Sequence, residues 1–208
     1  GAGDDAITIT LAGDTGLEIV VDDTSGVVGG DTLLVKGTSG DDDFTLDADP
    51  STTTDLTDGF MLVGLGAGQE RIDYRMMEHL TVESGAGEDV FIVKDTVVET
   101  DIDMGAGDDT IVIGLVTETP GATAPLTVHG GADDDKFDVN HNQAELFLFG
   151  DAGDDTFIIN TFLYQESGAV NIDGGDGLDT LIINGTAVRD VFVVTDTFVA
   201  GAGRQVFF

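Results

Sequence analysis

The chain has 208 residues, with 41 Asp and Glu against seven Lys and Arg, a formal net charge of −34. That balance argues against nucleic acid and anionic membrane surfaces as partners, since both demand a basic patch. Cysteine is absent, which rules out disulfides and thiolate metal sites. A hydrophobic content of 41 % separates the chain from disordered acidic tails.

Elements read in chain order repeat one pattern. A glycine-rich turn carries an acid, and alternating apolar residues follow. GAGDDAITI opens the chain at Gly1–Ile9. Looser copies follow at Thr38–Leu46 (TSGDDDFTL) and Gly66–Tyr74 (GAGQERIDY). Close copies stand at Gly85–Val93 and Gly105–Ile113, then looser ones at Gly131–Val139, Asp151–Ile159 and Gly175–Ile183. Period-two alternation after each turn predicts a half-buried strand. A second strand is legible before the glycines, as in LTVESG at Leu80–Gly85 and LTVHGG at Leu126–Gly131. Two core columns are expected: Val63, Val82, Ile102, Val128, Leu148 and Ile172, and Ile72, Phe91, Ile111, Phe137, Phe157 and Leu181. The stretch Tyr74–Glu78 is the one candidate for a helical turn. Phe91, Phe137, Phe147, Phe157 and Phe192 read as core stacking.

The motif acid falls at Asp5, Asp31, Asp42, Glu70, Asp89, Asp109, Asp135, Asp155, Asp179 and Asp190. The commonest interval is near 20 residues, enough for two short strands and two turns. The predicted fold is therefore all-β, a right-handed parallel β-solenoid of about 20-residue coils, continuous over 1–208. Eleven-residue intervals read as half-coils. Insertion loops are expected at 47–58 and 116–125, which hold all three prolines. DTLLVKGTSGDDDFTL (Asp31–Leu46) matches DTLIINGTAVRDVFVV (Asp179–Val194) at seven of sixteen positions. This suggests a super-repeat of 148 residues, 31–178, restarting at 179. Because the chain starts within a motif and lacks polar terminal caps, it reads as an internal segment of a longer protein.

Stacking such coils repeats one carboxylate per rung at about 4.8 Å. Each neighbouring pair then repels by about 1 kcal/mol in water, and by more near protein. With few basic residues, divalent cations between rungs are the economical compensation. Calcium suits turn carbonyls and carboxylates better than magnesium does. Zinc is disfavoured without cysteine or clustered histidine. The plain rival is that these aspartates only cap turn N–H groups. Asp4, Asp41, Asp108, Asp134 and Asp154, each preceding a motif acid, are expected to face solvent.

These segments resemble the repeat-in-toxin, or haemolysin-type, calcium-binding family, whose consensus is G-G-x-G-x-D-x-U-x with U apolar. The Gly-Gly form is intact at Gly174–Asp179. The resemblance implies a parallel β-roll with calcium held between coils by turn carbonyls and the consensus aspartate. Carried over, the ligand positions are Asp5, Asp42, Asp89, Asp109, Asp135, Asp155 and Asp179. Carbonyl positions are Gly85, Gly87, Gly105, Gly107, Gly131, Gly150, Gly153, Gly174 and Gly177. Here the motif comes about once per coil rather than every nine residues, which predicts one row of ions. Asp133, Val188 and Glu70 break the pattern at their rungs.

The expected function is non-enzymatic: a calcium-stabilised segment of a secreted or cell-surface repeat protein, an adhesin stalk or extracellular filament, that folds on meeting calcium outside the cell. Its expected partners are calcium, neighbouring copies and a surface or glycan ligand. The rival is a β-helix carbohydrate-active enzyme, a lyase or epimerase, or its accessory glycan-binding module. Arg71, Arg75 and His79 are the residues it would rest on. His79, His129 and His141 are otherwise dispersed. NGT at Asn184–Thr186 is a weak glycosylation sequon.

Overall fold

The computed structural model describes residues 3–12, 18–22, 30–48, 59–64, 69–115, 121–160, 168–185, 192–194, 198–201 and 204–207, with side chains described up to residue 185. No helix occurs among them. The chain winds as a β-solenoid of about six turns, and each coil contributes strands to two parallel-stranded sheets.

The first sheet contains β1 (Ala6–Thr10), β3 (Thr32–Lys36), β7 (His79–Glu83), β9 (Glu99–Asp103), β11 (Leu126–Ala132), β13 (Leu146–Ala152) and β15 (Val170–Asp173), in that spatial order. It ends in an antiparallel set, β17 (Phe192–Val194), β18 (Phe198–Gly201) and β19 (Arg204–Phe207), with β19 against β15. The second sheet contains β2 (Glu18–Asp22), β4 (Asp43–Ala48), β5 (Gly59–Gly64), β6 (Gln69–Arg75), β8 (Val90–Val93), β10 (Thr110–Ile113), β12 (Lys136–Val139), β14 (Thr156–Asn160) and β16 (Thr180–Asn184). Its order is β16-β14-β12-β10-β8-β4-β5-β6-β2. The alternation of Thr, Val, Ile and Phe suits strands whose inner face is wholly buried.

From β7 onward the coils follow the sequence reading. Val82, Ile102, Val128, Leu148 and Ile172 stack in register, continuing a column begun by Ile9 and Val35. Phe91, Ile111, Phe137, Phe157 and Leu181 form the facing column, headed by Phe44. The rings of Phe44 and Phe91, and of Phe137 and Phe157, stack with centroids 4.5 Å apart. In-register stacking brings like residues together, so aromatic pairs recur.

Three expectations fail in the early coils. Val63 and Ile72 leave the predicted columns because β4, β5 and β6 form an antiparallel meander within the second sheet. There Val63 lies opposite Phe44 and Glu70, while Ile72 pairs with Met61 and Ile19. GAGQERIDY is thus the link into a hairpin strand, and Glu70 is a buried strand residue rather than a turn acid. The stretch 74–78 forms a corner instead of a helical turn, with Met76 at φ 57°. Phe147 points outward and is 36 % exposed, since it sits on the alternate face of β13 from Leu146 and Leu148. Of the insertions, 49–58 and 116–120 lie outside the described residues, whereas Asp47 and Ala48 extend β4. The two matched 16-residue segments start on different sheets, β3 for one and β16 for the other.

Tight stacking of the turns dictates residue choice. Gly107 has φ 124°, and a methyl added there would lie 1.9 Å from the carbonyl oxygen of Gly87. Gly40, the same motif position in the first turn of the row, has open space around it. Gly107→Ala is therefore expected to lower the unfolding free energy by about 2 kcal/mol or more, and Gly40→Ala by under about 1 kcal/mol. Paired thermal melts of the two variants check the difference.

Candidate functional site

The motif turns that lead from the first sheet to the second align along one edge of the solenoid. Register places Asp42, Asp89, Asp109, Asp135, Asp155 and Asp179 in a column just before β4, β8, β10, β12, β14 and β16. All but Asp179 are buried, with side chains 0–2 % exposed.

A hydrogen-bond ladder runs down this column. The backbone N–H of Asp42 donates to Asp89 Oδ1 at 2.7 Å. Those of Asp89, Asp109, Asp135 and Asp155 donate to Asp109, Asp135, Asp155 and Asp179 at 2.7, 2.9, 2.8 and 3.1 Å. Each coil's inner N–H is thus satisfied by the acid of the coil that follows. The preceding residues, exposed as expected, form a second ladder of opposite sense. Glu88 N–H donates to Asp41 (3.0 Å), Asp134 to Asp108 (3.1 Å), Asp154 to Asp134 (2.8 Å) and Leu178 to Asp154 (2.8 Å). An Asp-Asp pair therefore ties a coil to both of its neighbours. The sequence reading assigned the first acid only to solvent. The recurring DD doublet was the signal for this role.

The outer carboxylate oxygens set the site's chemistry. Oδ2 of Asp89, Asp109, Asp135 and Asp155 is buried without a hydrogen-bond donor. A buried, unpaired carboxylate oxygen is costly unless it is protonated or meets a cation. Burial is the main influence raising the Asp109 and Asp135 carboxyls to about 7, with neighbouring aspartates adding to it. The same cause raises Asp42, Asp89 and Asp155. At Asp135 and Asp155 these oxygens face the backbone of a glycine turn. A methyl built on Gly150 would lie 2.1 Å from Asp155 Oδ2 and 2.3 Å from the Gly174 carbonyl oxygen. At Gly130 it would lie 2.4 Å from Asp135 Oδ2 and 2.8 Å from the Gly150 carbonyl oxygen. At these two rungs carboxylate and carbonyl oxygens from successive coils crowd the space beside a glycine, whereas Ser84 and Met104 hold that position on the Asp89 and Asp109 rungs.

This donor set fits a hard cation. Calcium takes six to eight oxygens, carboxylates and backbone carbonyls among them. The Asp135 and Asp155 rungs each offer one unpaired carboxylate oxygen beside a carbonyl of the next coil. Among the described residues no three His, Asp or Glu side chains converge as a metal cluster, so a cation here would rest heavily on main-chain oxygen.

Several predicted ligands fall elsewhere. Gly85, Gly105 and Gly131 occupy one column, while Gly150 and Gly174 sit one position earlier, aligned with Gly37, Ser84, Met104 and Gly130. Gly87, Gly107, Gly153 and Gly177 share a third column, where Asp133 stands in the glycine position at φ 83°. Asp42 differs from the acids above it. The Thr38 N–H donates to its Oδ2 (2.7 Å) and the Thr38 hydroxyl to its Oδ1 (3.1 Å), which caps the ladder at that end. Asp5 lies on the opposite edge, before β1. There a short second row runs from Asp5 N–H to Asp31 Oδ1 (2.6 Å) and from Asp31 N–H to Glu78 Oε2 (2.8 Å). Gly30 N–H donates to Asp4 there (3.0 Å), so the reciprocal tie recurs. The motif acids thus form two unequal rows, where one was expected. Farther along the opposite edge acid and neutral groups mix: buried Asp95 accepts from the Thr123 N–H (3.2 Å) and hydroxyl (2.6 Å), while Thr96 and Asn142 bond the carbonyls of Ala124 and Ala144. Asp190 lies outside the described residues.

The residues of the enzyme rival do not converge. Arg71 is on the outer face of the second sheet, paired with Asp73 (2.5 and 3.0 Å) and stacked over Phe60. His79 is on the outer face of the first sheet, 3.1 Å from Asp101. No family model, curated protein or solved structure matches this chain.

The pH dependence of the cation-free protein follows from the raised carboxyls. Their folded pKa values stand above the unfolded value near 3.8, so the protonated form favours the fold. That stability is present below about pH 4 and is lost as pH rises toward about 7. Melting temperature in chelator should therefore fall across this window. Asp135→Asn, which keeps an acceptor but no charge, should melt higher than the parent at pH 8 and show a shallower fall.

Proposed function

We propose that this chain is a calcium-stabilised structural β-solenoid segment of a secreted or cell-surface repeat protein, of the kind that forms adhesin stalks or extracellular filaments. The carrying observation is the column of buried Oδ2 atoms on Asp89, Asp109, Asp135 and Asp155, none with a hydrogen-bond donor, which at the Asp135 and Asp155 rungs crowd a glycine turn together with a carbonyl of the next coil. Plain turn-capping accounts for Oδ1, which accepts an N–H at every rung, but leaves Oδ2 without a partner. Calcium would supply positive charge between rungs and neutralise the column. The protein's part is to hold the carboxylates at fixed spacing, present the carbonyls and exclude water.

Where calcium is scarce, mutual repulsion along the column loosens the coils. Outside the cell, at the 0.1–1 mM level where extracellular modules typically bind, the ions condense them. This is the scheme the repeat-in-toxin resemblance suggests, carried on one long row and one short one. Rigidity and length are then the function.

A calcium titration followed by circular dichroism and thermal melting tests the reading. Strand signal and melting temperature should rise with half-effect near about 0.1–1 mM and reverse with chelator. Asp155→Asn should weaken the response, whereas Asp154→Asn, on the solvated ladder, should leave it nearly intact. Identical melts in calcium and chelator would sink the proposal.

A further inference from the structure

The two outer faces of the solenoid differ sharply in charge. On the first sheet the outward positions include Glu83, Glu99, Asp101, Asp103 and Asp173, with no Lys or Arg from β7 to β15. On the second sheet, from β8 to β16, two outward columns are almost wholly β-branched. One runs through Thr110, Lys136 and Thr156, the other through Val112, Asp138 and Ile158. Strands β8 and β16 continue both columns with more Val, Ile and Thr, ending at Ile182, which is 40 % exposed. In a chain of net charge −34, this stripe carries one cation and one anion and is neutral.

Those two charges stand on the same strand, β12, two residues apart, so both point outward. Asp138 accepts a hydrogen bond from Asn160 at 2.8 Å. Among the described residues the Lys136 ammonium has no ion-pair partner. This placement is self-complementary under one symmetry. A two-fold axis parallel to the solenoid, lying between the two columns, sets each column against the other column of a second copy. Lys136 then faces the second copy's Asp138, and the reverse holds in the same coil. Thr110 meets Val112, and Thr156 meets Ile158. Reciprocal contact of this sort is what a closed two-fold interface requires.

We infer that the outer face of the second sheet is a homodimer interface, sheet on sheet, centred on the reciprocal Lys136–Asp138 pairs of β12. The occupant is a second copy of this chain because only that partner supplies the inverted charge pair at the matching height. It also meets an equally β-branched surface there. Elsewhere the net charge of each copy opposes association, which confines contact to the neutral stripe. Five strands at about 4.8 Å give a stripe about 20–25 Å long. That is narrow beside a standard interface of about 800 Å² per partner, so the dimer is a weak one.

Sedimentation equilibrium in 150 mM salt, with calcium and separately with chelator, tests this over concentrations up to about 1 mM. The parent should show a monomer–dimer equilibrium. Lys136→Asp or Asp138→Lys alone places like charges across the axis and should weaken dimerisation at least about tenfold. The double exchange K136D/D138K should restore it, and mixing the two single variants should give a heterodimer stronger than either homodimer. Circular dichroism of each variant confirms an intact strand signal. A parent monomeric throughout, as expected if some other element covers this face, overturns the proposal. So does a dimer indifferent to the charge exchanges.

Discussion

Register governs this molecule. A parallel stack in which each coil repeats its neighbour sets like upon like. That benefits phenylalanine and isoleucine, and it penalises aspartate. Aliphatic and aromatic columns gain contact from being superposed, while a carboxylate column gains repulsion. The turn architecture turns part of that penalty into adhesion. One oxygen of each buried carboxylate accepts the N–H of the preceding coil, a charge-assisted bond stronger than a neutral one. At Asp135 and Asp155 the second oxygen shares its space with a main-chain carbonyl of the following turn. A side chain in place of Gly130 or Gly150 would meet those oxygens.

Much of this was legible in the sequence. Regular spacing from Asp89 to Asp179, together with period-two alternation, suffices to read coils, columns and the motif edge. The early coils were opaque because strand alternation does not reveal the direction of pairing. GAGQERIDY has the turn glycines and the alternation of a coil, yet it leads into a hairpin strand. Antiparallel pairing changes which residues face each other, and it carried Val63, Glu70 and Ile72 out of their expected columns. The edge on which an acid falls was likewise hidden. Asp5 and Asp42 share a motif, but one precedes a strand of the first sheet and the other a strand of the second. Phe147 was misread because alternation gives two faces without saying which is inside. Its neighbours Leu146 and Leu148 settle that.

The solenoid is asymmetric on both of its transverse axes. One edge carries the long acidic row, while the other begins acidic and continues with buried Asp95 among threonine and asparagine. From β7 onward one face is densely anionic and the other neutral and β-branched. A chain of strongly negative total charge thus concentrates its field on one face and one edge. The remaining face is left free of the repulsion that keeps like molecules apart. Such partitioning is invisible in net charge and follows from which alternate positions point outward.

The opposed directions of the two aspartate ladders carry a further consequence. Four of the five junctions along the long row are closed by a donor from each side, so at these neither neighbour is the template and neither the copy. Interrupting the array at any of these four would leave the same pair of half-made bonds, whatever the number of coils on either side. Changing the number of coils therefore does not alter the chemistry of the break. A protein built this way could vary in reach over generations, by duplication or loss of whole coils, without refashioning the joint between them.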